Sequence, residues 1–438
     1  MHTPVSRRDH AGRRSARFGS IGIDAALLLA CALLLTGHPR IARAGLNMWT
    51  STGPDGVYVN ALLVDPGAPD TVYAGTAGKG VFKSVDRGAT WSKMSIGMGD
   101  VYIDSLAVDP GPPCTLYAAS SNTGVFKSVD GGDTWMAANT GLPTVSAHYL
   151  AADPASSTLY LSTNDGVFKS LDGGGHWMPT TLTTRPDSVA SPDVSFFESW
   201  IDCLAVDPGT AALYACYFVW GDPASSWELL ESTDGGTTWQ ALPVPTTGGP
   251  YAIAVDPATP RALYVATYEP FGPAYAVQRS DDGGMTWHGT DGAMAGCEAG
   301  CRINGLAVDS AQPSTLYAAT EHGVYTTTTG SDAWTPLNSG MASRAVSSVA
   351  IDPADSALAY AGTSDGVFSI TRAPACGGDC DGDHMVSVGE VIAVVDIALG
   401  NKPMQACAAA DTDGDGQVGV ADVVRAVASA MKGCGEGM

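Results

Sequence analysis

Short runs of alternating apolar and polar residues recur along the chain in a fixed order. The first run of each unit ends in an aspartate, as in Leu106-Ala107-Val108-Asp109, and the second carries a tyrosine, such as Tyr117. Alternation over four to eight residues predicts β-strands. Seven first runs end at Asp65, Asp109, Asp153, Asp207, Asp256, Asp309 and Asp352.

An eight-residue stretch follows the third strand of most units. It reads Ser-Val-Asp-Gly-Gly-Asp-Thr-Trp at 128–135, and it recurs at 84–91, 170–177, 232–239 and 280–287, with a degenerate copy at 327–334. An Asp side chain can accept backbone hydrogen bonds in a tight turn, and glycine supplies a positive φ. The octet therefore predicts a hairpin turn, with a tryptophan opening the fourth strand. Its turn-stapling aspartates are Asp86, Asp130, Asp172, Asp234 and Asp282.

This octet resembles the Asp-box, or BNR repeat, of bacterial sialidases, sortilin-type receptors and photosystem II assembly factors. The resemblance implies a β-propeller in which the Asp-box aspartates are structural and not catalytic. Repeats of four strands each are also typical of propellers on general grounds.

The seventh unit has neither an octet nor a fourth strand. Residues 48–53 resemble residues 134–141, which open the fourth strand of an earlier unit. We therefore expect an all-β, seven-bladed β-propeller over residues 45–372, closed by strands from its two ends.

Insertions occur at only two kinds of connection. They lie between Trp177 and Asp207, between Tyr214 and Ser232, and in the corresponding segments of the next blades. Both kinds emerge on the same face of a four-stranded blade, so we predict a ligand face there. These loops are rich in aromatic residues, which stack on sugars or form a small core of the loops themselves. The ligand-binding candidates are Trp200, Trp220, Trp227, Tyr268, Phe271 and Tyr275.

Carboxylates in the same loops leave an enzymatic alternative open. If the protein is a glycoside hydrolase, acid and base candidates are Glu198, Asp222 and Glu269. The arginine triad and Arg-Ile-Pro motif of sialidases are not evident, and similar xyloglucanases use two propellers. Binding of a glycan or an extracellular protein is therefore favoured over hydrolysis of extracellular polysaccharide, and no catalytic residue is assigned. Assembly of a membrane complex is a third, less favoured option.

Two twelve-residue segments near the C-terminus have the acidic spacing of calcium loops. They predict two Ca²⁺ sites, each followed by a helix, over 391–399 and 423–431. The ligands of the first would be Asp379, Asp381, Asp383, the Met385 carbonyl, Ser387 and Glu390. Those of the second would be Asp411, Asp413, Asp415, the Gln417 carbonyl and Asp422.

Paired calcium loops of this kind resemble a dockerin, so residues 373–438 are expected to form a small α-helical, EF-hand-like domain. The resemblance implies a cohesin-like partner. In dockerins the partner surface includes loop positions 10 and 11, here Val388, Gly389, Val420 and Ala421, which lack the usual hydroxyl pair. Calcium that serves only to fold the domain is the alternative.

Charge and the N-terminus bear on location. The formal net charge of −23 argues against nucleic-acid binding. Residues 1–44 combine arginines, an apolar run and an Ala-Arg-Ala site, which indicates a signal peptide and a secreted or cell-surface protein. General, twin-arginine and lipoprotein export all remain open. No other stretch is apolar for long enough to span a bilayer.

Export would permit disulfides. If Val206 pairs with Leu213 in a hairpin, the same register places Cys203 opposite Cys216. The other expected pairs are Cys297 with Cys301, Cys376 with Cys434, and Cys380 with Cys407.

Overall fold

The computed structural model describes residues 47–109, 115–183, 198–220, 226–244, 249–257, 259, 261–268, 275–290, 294, 301–310, 315–328, 334–341, 345–372, 377–380, 386–403, 407–411 and 417–432. The expected signal peptide lies outside these residues. Within them, no helix is long and apolar enough to cross a membrane.

The described strands form seven antiparallel four-stranded sheets, which are the blades of a β-propeller. The chain opens with β1 (Thr50–Gly53). Blade one follows, with β2 (Val59–Val64), β3 (Val72–Thr76), β4 (Gly80–Ser84) and β5 (Ser92–Lys93). Blade two has β6 (Ser105–Asp109), β7 (Thr115–Ser120), β8 (Gly124–Ser128) and β9 (Met136–Ala137). Blade three has β10 (Ala147–Asp153), β11 (Thr158–Thr163), β12 (Gly166–Ser170) and β13 (Met178–Thr183).

The remaining blades repeat this order. Blade four has β14 (Glu198–Val206), β15 (Leu213–Trp220), β16 (Ser226–Ser232) and β17 (Gln240–Leu242). Blade five has β18 (Pro250–Val255), β19 (Leu263–Tyr268), β20 (Tyr275–Ser280) and β21 (His288–Thr290). Blade six has β22 (Ile303–Val308), β23 (Thr315–Thr320), β24 (Gly323–Thr328) and β25 (Thr335–Pro336). Blade seven has β26 (Val346–Asp352), β27 (Asp355–Thr363) and β28 (Gly366–Thr371).

The two ends of the propeller meet in blade seven. Strand β1 pairs with β28 as the fourth strand of that sheet, and the Thr52 hydroxyl donates to the Val367 carbonyl at 3.1 Å. Each innermost strand also contacts the innermost strands of both neighbouring blades, including β26 with β2. The prediction of a seven-bladed ring closed by both ends is confirmed.

The hydrophobic core lies between adjacent blades. The second strand of each blade is buried on both faces, which explains its near-continuous apolar sequence. Tyr117 of blade two packs with Leu159, Leu161 and Trp177 of blade three in one cluster. Because every blade repeats this packing, each sheet buries both of its faces against its neighbours.

The octet turns are held by their aspartates. The Asp130 carboxylate accepts hydrogen bonds from the Thr134 backbone N–H at 2.9 Å and from the Thr134 hydroxyl at 2.6 Å. Ser128 also donates to it, at 2.7 Å. Gly132 adopts a φ of +92°, which side-chain-bearing residues rarely reach. The octet thus folds as the turn that its residue types predict.

The same turn joins one blade to the next. The Tyr117 hydroxyl and the Lys127 ammonium of blade two both donate to the Gly173 carbonyl in the turn of blade three, at 3.1 and 2.7 Å. Tyr73 and Lys83 make the same contacts to the Gly131 carbonyl of blade two. We call this arrangement the interblade joint.

At ring closure the joint differs. Arg87 occupies the turn position that glycine holds in the next blades, with a φ of +58°. Its guanidinium reaches back to Asp352 and Asp355 of blade seven, at 3.9 and 3.5 Å. Ionic contacts therefore take the place of the shared carbonyl where blade seven meets blade one.

Two α-helices occur in the described part of the C-terminal region, α1 (Val388–Ala398) and α2 (Val420–Lys432). Both begin one turn before the predicted start. In α1 the reason is a capping box, in which the Ser387 side chain accepts from the Glu390 N–H and the Glu390 carboxylate accepts from the Ser387 N–H. The acidic residue at the end of each calcium-type loop therefore lies inside the first helical turn.

Two disulfides are present among the described residues. Cys203 pairs with Cys216, and the strand register matches Val206 with Leu213, as expected. Cys380 pairs with Cys407, as also expected. Cys301 is disulfide-bonded. Cys297, Cys376 and Cys434 lie outside the described residues.

Candidate functional site

Six of the seven innermost strands carry a β-bulge near their beginning. In β14 the register shifts between Ile201 and Cys203, and in β18 it shifts between Pro250 and Ala252. A bulge inserts one residue into the pairing and re-aims its side chain. Comparable shifts occur in β2, β10, β22 and β26. The innermost strands surround the central channel of the propeller, and they begin on the face that carries the long loops, which we call the long-loop face. Residues next to these shifts, such as Asp202 and Tyr251, therefore lie around the mouth of the channel on that face.

Side chains at this mouth connect neighbouring blades. The Asn60 amide of blade one donates to the Ile103 carbonyl of blade two at 3.0 Å. The Asn304 amide of blade six donates to the Val346 carbonyl of blade seven at 2.8 Å. These bonds fix the spacing of the blades around the mouth, so the groups displayed there are held in a defined arrangement.

A cavity of about 400 Å³ opens at this mouth, where blades four, five and six meet. Three aromatic rings in blade four form one wall. Trp200, Phe218 and Trp227 are cross-strand neighbours on β14, β15 and β16, and their ring centroids are 4.5 and 4.6 Å apart. Gly249 faces this wall, because a Cβ there would lie 2.0 Å from Trp227 Cδ1. We call the three rings the aromatic row.

A carboxylate and a guanidinium complete the cavity. The Trp200 side chain donates a hydrogen bond to Asp202. Burial raises the pKa of Asp202 above its ordinary value, while this bond and the charge of Arg302 offset part of the rise. The Arg302 guanidinium carbon lies 4.3 Å above the Tyr251 ring centroid, in a cation–π contact. Hydrogen-bond donors and acceptors thus converge beside apolar ring faces.

Tyr149 of blade three adds a hydroxyl to the mouth. Its ring is 40% exposed within the open channel, although protein surrounds it on most sides. That surrounding protein raises the pKa of Tyr149 to about 12, and the negative charge of Asp202 adds to the rise. The hydroxyl therefore stays protonated at neutral pH and can donate a hydrogen bond.

The predicted ligand residues can now be placed. Trp200 and Trp227 both line the cavity. Glu198 and Trp220 pair across β14 and β15, and Tyr268 pairs with Tyr275 at the end of the β19–β20 hairpin, but their side chains lie outside the described set. Asp222, Glu269 and Phe271 also lie outside it.

Asp202, Tyr149, Tyr251 and Arg302 were not among the predicted site residues. The first three lie within the first five residues of an inner strand, and Arg302 lies directly before one. A bulge or a turn there disturbs the alternation that sequence patterns detect. The available signal was a polar residue directly after a buried apolar one, as in Ile201-Asp202. That signal recurs in several blades and could have indicated a channel lining.

The calcium-type loops are described only in part. Asp379, Glu390 and Asp422 are buried, with exposed fractions of 7%, 9% and 2%. The Glu390 carboxylate also accepts the Cys380 N–H at 2.7 Å, and Asp422 accepts the Gly419 N–H at 2.8 Å. Ser387 and Gln417 are exposed and Asp411 is half-buried.

The other predicted metal ligands fall in the gaps of the description: Asp381, Asp383, Met385, Asp413 and Asp415. In the described parts of the chain, no three His, Cys, Asp or Glu side chains are grouped to hold a metal ion. The prediction of two calcium sites therefore stays a prediction.

Comparison with known proteins finds similarity of fold only. No protein-family model and no curated protein sequence matches the chain. The GH74 xyloglucanase of Xanthomonas campestris aligns over 74% of this chain and 53% of its own, with a TM-score of 0.57 and 22% identity. The extracellular domain of BT4673 from B. thetaiotaomicron aligns over 75% and 40%, with a TM-score of 0.54 and 13% identity.

YCF48 from Cyanidioschyzon merolae aligns over 74% of this chain and 98% of its own, with a TM-score of 0.53 and 15% identity. All these similarities support a shared propeller architecture. The chain spans about half the length of the xyloglucanase, so no activity follows from that similarity.

Proposed function

We propose that this is a secreted glycan-binding propeller whose ligand occupies the cavity at the mouth of the channel. The observation that carries the proposal is the aromatic row beside Asp202 and Arg302. Sugar rings present apolar C–H faces that stack on aromatic side chains, and hydroxyl edges that need donors and acceptors. The cavity offers ring faces for the apolar side of a sugar and hydrogen-bonding groups for its hydroxyls.

The charges favour a neutral sugar. Arg302 lies near Asp202, so its positive charge is already balanced within the cavity. The protein as a whole carries a formal charge of −23, which disfavours polyanionic ligands. A neutral glycan needs no charge compensation and can use the Asp202 carboxylate as acceptor and the Arg302 guanidinium as donor.

Binding of neutral oligosaccharides to the full chain, measured by calorimetry, tests this proposal. We expect Trp200→Ala to weaken binding by about tenfold, which corresponds to about 1.4 kcal/mol. Leu171→Ala changes an exposed residue in an octet turn and should leave affinity unchanged. Equal affinity in the wild-type protein and both variants would show that the ligand binds elsewhere. Because a YCF48 structure contains a bound D1 peptide, peptides serve as the comparison ligands.

A glycoside hydrolase is the second candidate. The raised pKa of Asp202 is the observation that favours it, since the general acid of a glycoside hydrolase is a carboxyl whose pKa is raised by its surroundings. Hydrolysis of the same oligosaccharides by the full chain, abolished in Asp202→Asn, would establish this alternative. Binding that persists without cleavage supports a non-catalytic protein.

For the C-terminal region we propose two calcium-dependent loop–helix units that dock to a cohesin-like partner. Equivalent residues of α1 and α2 support the internal repeat. Glu390 and Asp422 both lie in a first helical turn and both accept a backbone N–H from the residue three positions earlier. Buried oxygen ligands of this kind suit Ca²⁺. Three exposed apolar residues also match: Val388 with Val420, Ile392 with Val424, and Leu399 with Met431.

Secretion belongs to the same proposal. Disulfides such as Cys203–Cys216 form and persist in oxidising compartments. Together with the N-terminal signal expected from the sequence, they support export of the protein.

A further inference from the structure

The cavity is one part of a larger set of aromatic residues around the channel mouth. Blades one to five each place an aromatic residue within three residues of the first residue of the innermost strand, and blade six places Arg302 directly before its own innermost strand. We call these five residues the aromatic collar: Tyr58, Tyr102, Tyr149, Trp200 and Tyr251.

The collar residues of blades one to three are exposed and do not serve the core. Tyr58, Tyr102 and Tyr149 are 45%, 49% and 40% exposed. The tyrosines that pack between blades are buried, and Tyr73 and Tyr117 expose only 2% and 1%. Exposed aromatic residues that cluster on one surface mark a place of interaction more often than isolated ones do.

Local contacts hold the collar in place. The Ser347 hydroxyl of blade seven donates to the Tyr58 hydroxyl at 3.0 Å. The Tyr102 ring lies over Gly78, where a Cβ would be 3.3 Å from Cε2. A collar fixed in this way loses little conformational freedom when a ligand binds.

We propose that the collar extends the binding cavity across the channel mouth, so that the ligand is a neutral polysaccharide chain several sugars long. This inference rests on the proposed glycan function. One part of the chain lies against the aromatic row, and further sugars lie against Tyr102 and Tyr58 on the opposite side of the mouth. Tyr149, between the two, contributes its protonated hydroxyl.

Charge and backbone pairing both favour a polysaccharide over a polypeptide. Among the described residues at the mouth, Asp104 and Asp202 carry negative charge and Arg302 carries positive charge, so negative charge exceeds positive charge in this group. An extended peptide binds most readily at an unpaired strand edge. The collar residues instead lie in the innermost strands or up to three residues before them. These strands are bonded to the second strand of each blade and packed against their neighbours.

The test compares ligand lengths in the full-length protein. Cellohexaose, xylohexaose and mannohexaose are titrated by calorimetry, and the disaccharide and tetrasaccharide of each series that binds are then measured. We expect affinity to rise with length. Replacing both tyrosines (Tyr58→Ala with Tyr102→Ala) should weaken hexasaccharide binding about tenfold or more and leave disaccharide binding unchanged. Trp200→Ala should weaken both.

Tyr58→Phe with Tyr102→Phe keeps the rings and is the matched control, with affinity close to wild type. A hexasaccharide that binds no more tightly than the disaccharide, or that is unaffected by the double Ala variant, overturns the collar while the proposed function stands. If none of the sugars binds, or if unrelated peptides bind at the collar more tightly, the proposed function fails as well. Thermal melting of each variant confirms that it is folded.

Discussion

The aspartate of each octet turn shows how one exposed side chain can determine local structure. Asp130 is close to fully exposed, yet its carboxylate accepts bonds from Thr134 and Ser128 that an unfolded chain does not offer. These bonds stabilise the ionised form and lower the pKa of Asp130 to about 2. The pKa values of Asp234 and Asp282 fall to about 2 for the same reason.

These turns should therefore make stability depend on pH. The folded-state pKa of Asp130 lies below the unfolded value of roughly 3.9, so its contribution is present above about pH 4 and is lost as the pH falls toward 2. We expect Asp130→Ala to lower the melting temperature by about 2–4 °C at pH 7. The difference from wild type should shrink steadily below pH 4 in thermal melts followed by circular dichroism. A difference that stays constant from pH 7 to pH 2.5 would contradict the role of the ionised carboxylate.

At the scale of the element, the interblade joint links two blades through one carbonyl oxygen. Tyr117 is buried and Lys127 is half-buried, and both donate to Gly173 O. The oxygen has two lone pairs, so loss of one donor leaves it satisfied by the other. Loss of both leaves a polar group without its protein partners between packed sheets.

The effects of substituting the two donors on the free energy of unfolding should therefore be non-additive. Tyr117→Phe and Lys127→Met should each cost about 1 kcal/mol of unfolding free energy. The double variant should cost more than the sum, with a coupling of about 1 kcal/mol in a denaturant double-mutant cycle. The same substitutions at Tyr73 and Lys83 provide a replicate in another blade. Additive costs in both blades would show that the shared carbonyl is unimportant.

Helices α1 and α2 form the second kind of element, and the number of calcium sites proposed next to them can be measured. Titration of the metal-free full chain with Ca²⁺ should give two sites by calorimetry, and a chelator should lower helicity. Glu390→Gln and Asp422→Asn should each remove one site. Asp396→Asn is the control, because Asp396 lies on α1 outside both loops and pairs with Lys402 at 3.6 Å. Two sites retained in both loop variants would refute the assignment.

Docking can be tested with the same proteins. Binding of immobilised cohesin domains should require Ca²⁺ and should weaken in Val388→Asp and Val420→Asp, which place charge on the two most exposed valines of the helices. Calcium binding without capture of any cohesin would limit the metal to a folding role.

At the scale of the molecule, the fold was predictable because the residues that recur in each repeat are the ones that the packing requires. The tyrosine of each second strand and the octet set the length of the blades, and the match of residues 48–53 to an earlier fourth strand predicted ring closure. The Cys203–Cys216 bond followed from strand register alone. All these features depend on local spacing.

The candidate site at the channel mouth was only partly predictable. Trp200 and Trp227 stood out as aromatic residues in long loops. Asp202, Tyr251 and Arg302 belong to three different blades, and only the closed ring brings them together. Their proximity depends on bulges and on the angle between blades, which no run of residues within one strand encodes. The helix starts were also missed, because Ser387 and Glu390 serve the helix cap as well as the predicted loop.

Ring closure also has a consequence for how the protein is made. The ribosome produces β1 first, yet the strand it must join is the last strand of the propeller to be translated, and Val367 follows its partner Thr52 by 315 positions in the sequence. A nascent chain that stalls before β28 can build blades one to six but leaves β1 without its partner and blade one without its seventh-blade neighbour. Such fragments present unpaired backbone and bare apolar surface to one another. Synthesis of the chain through β28 is therefore expected to limit aggregation of this kind.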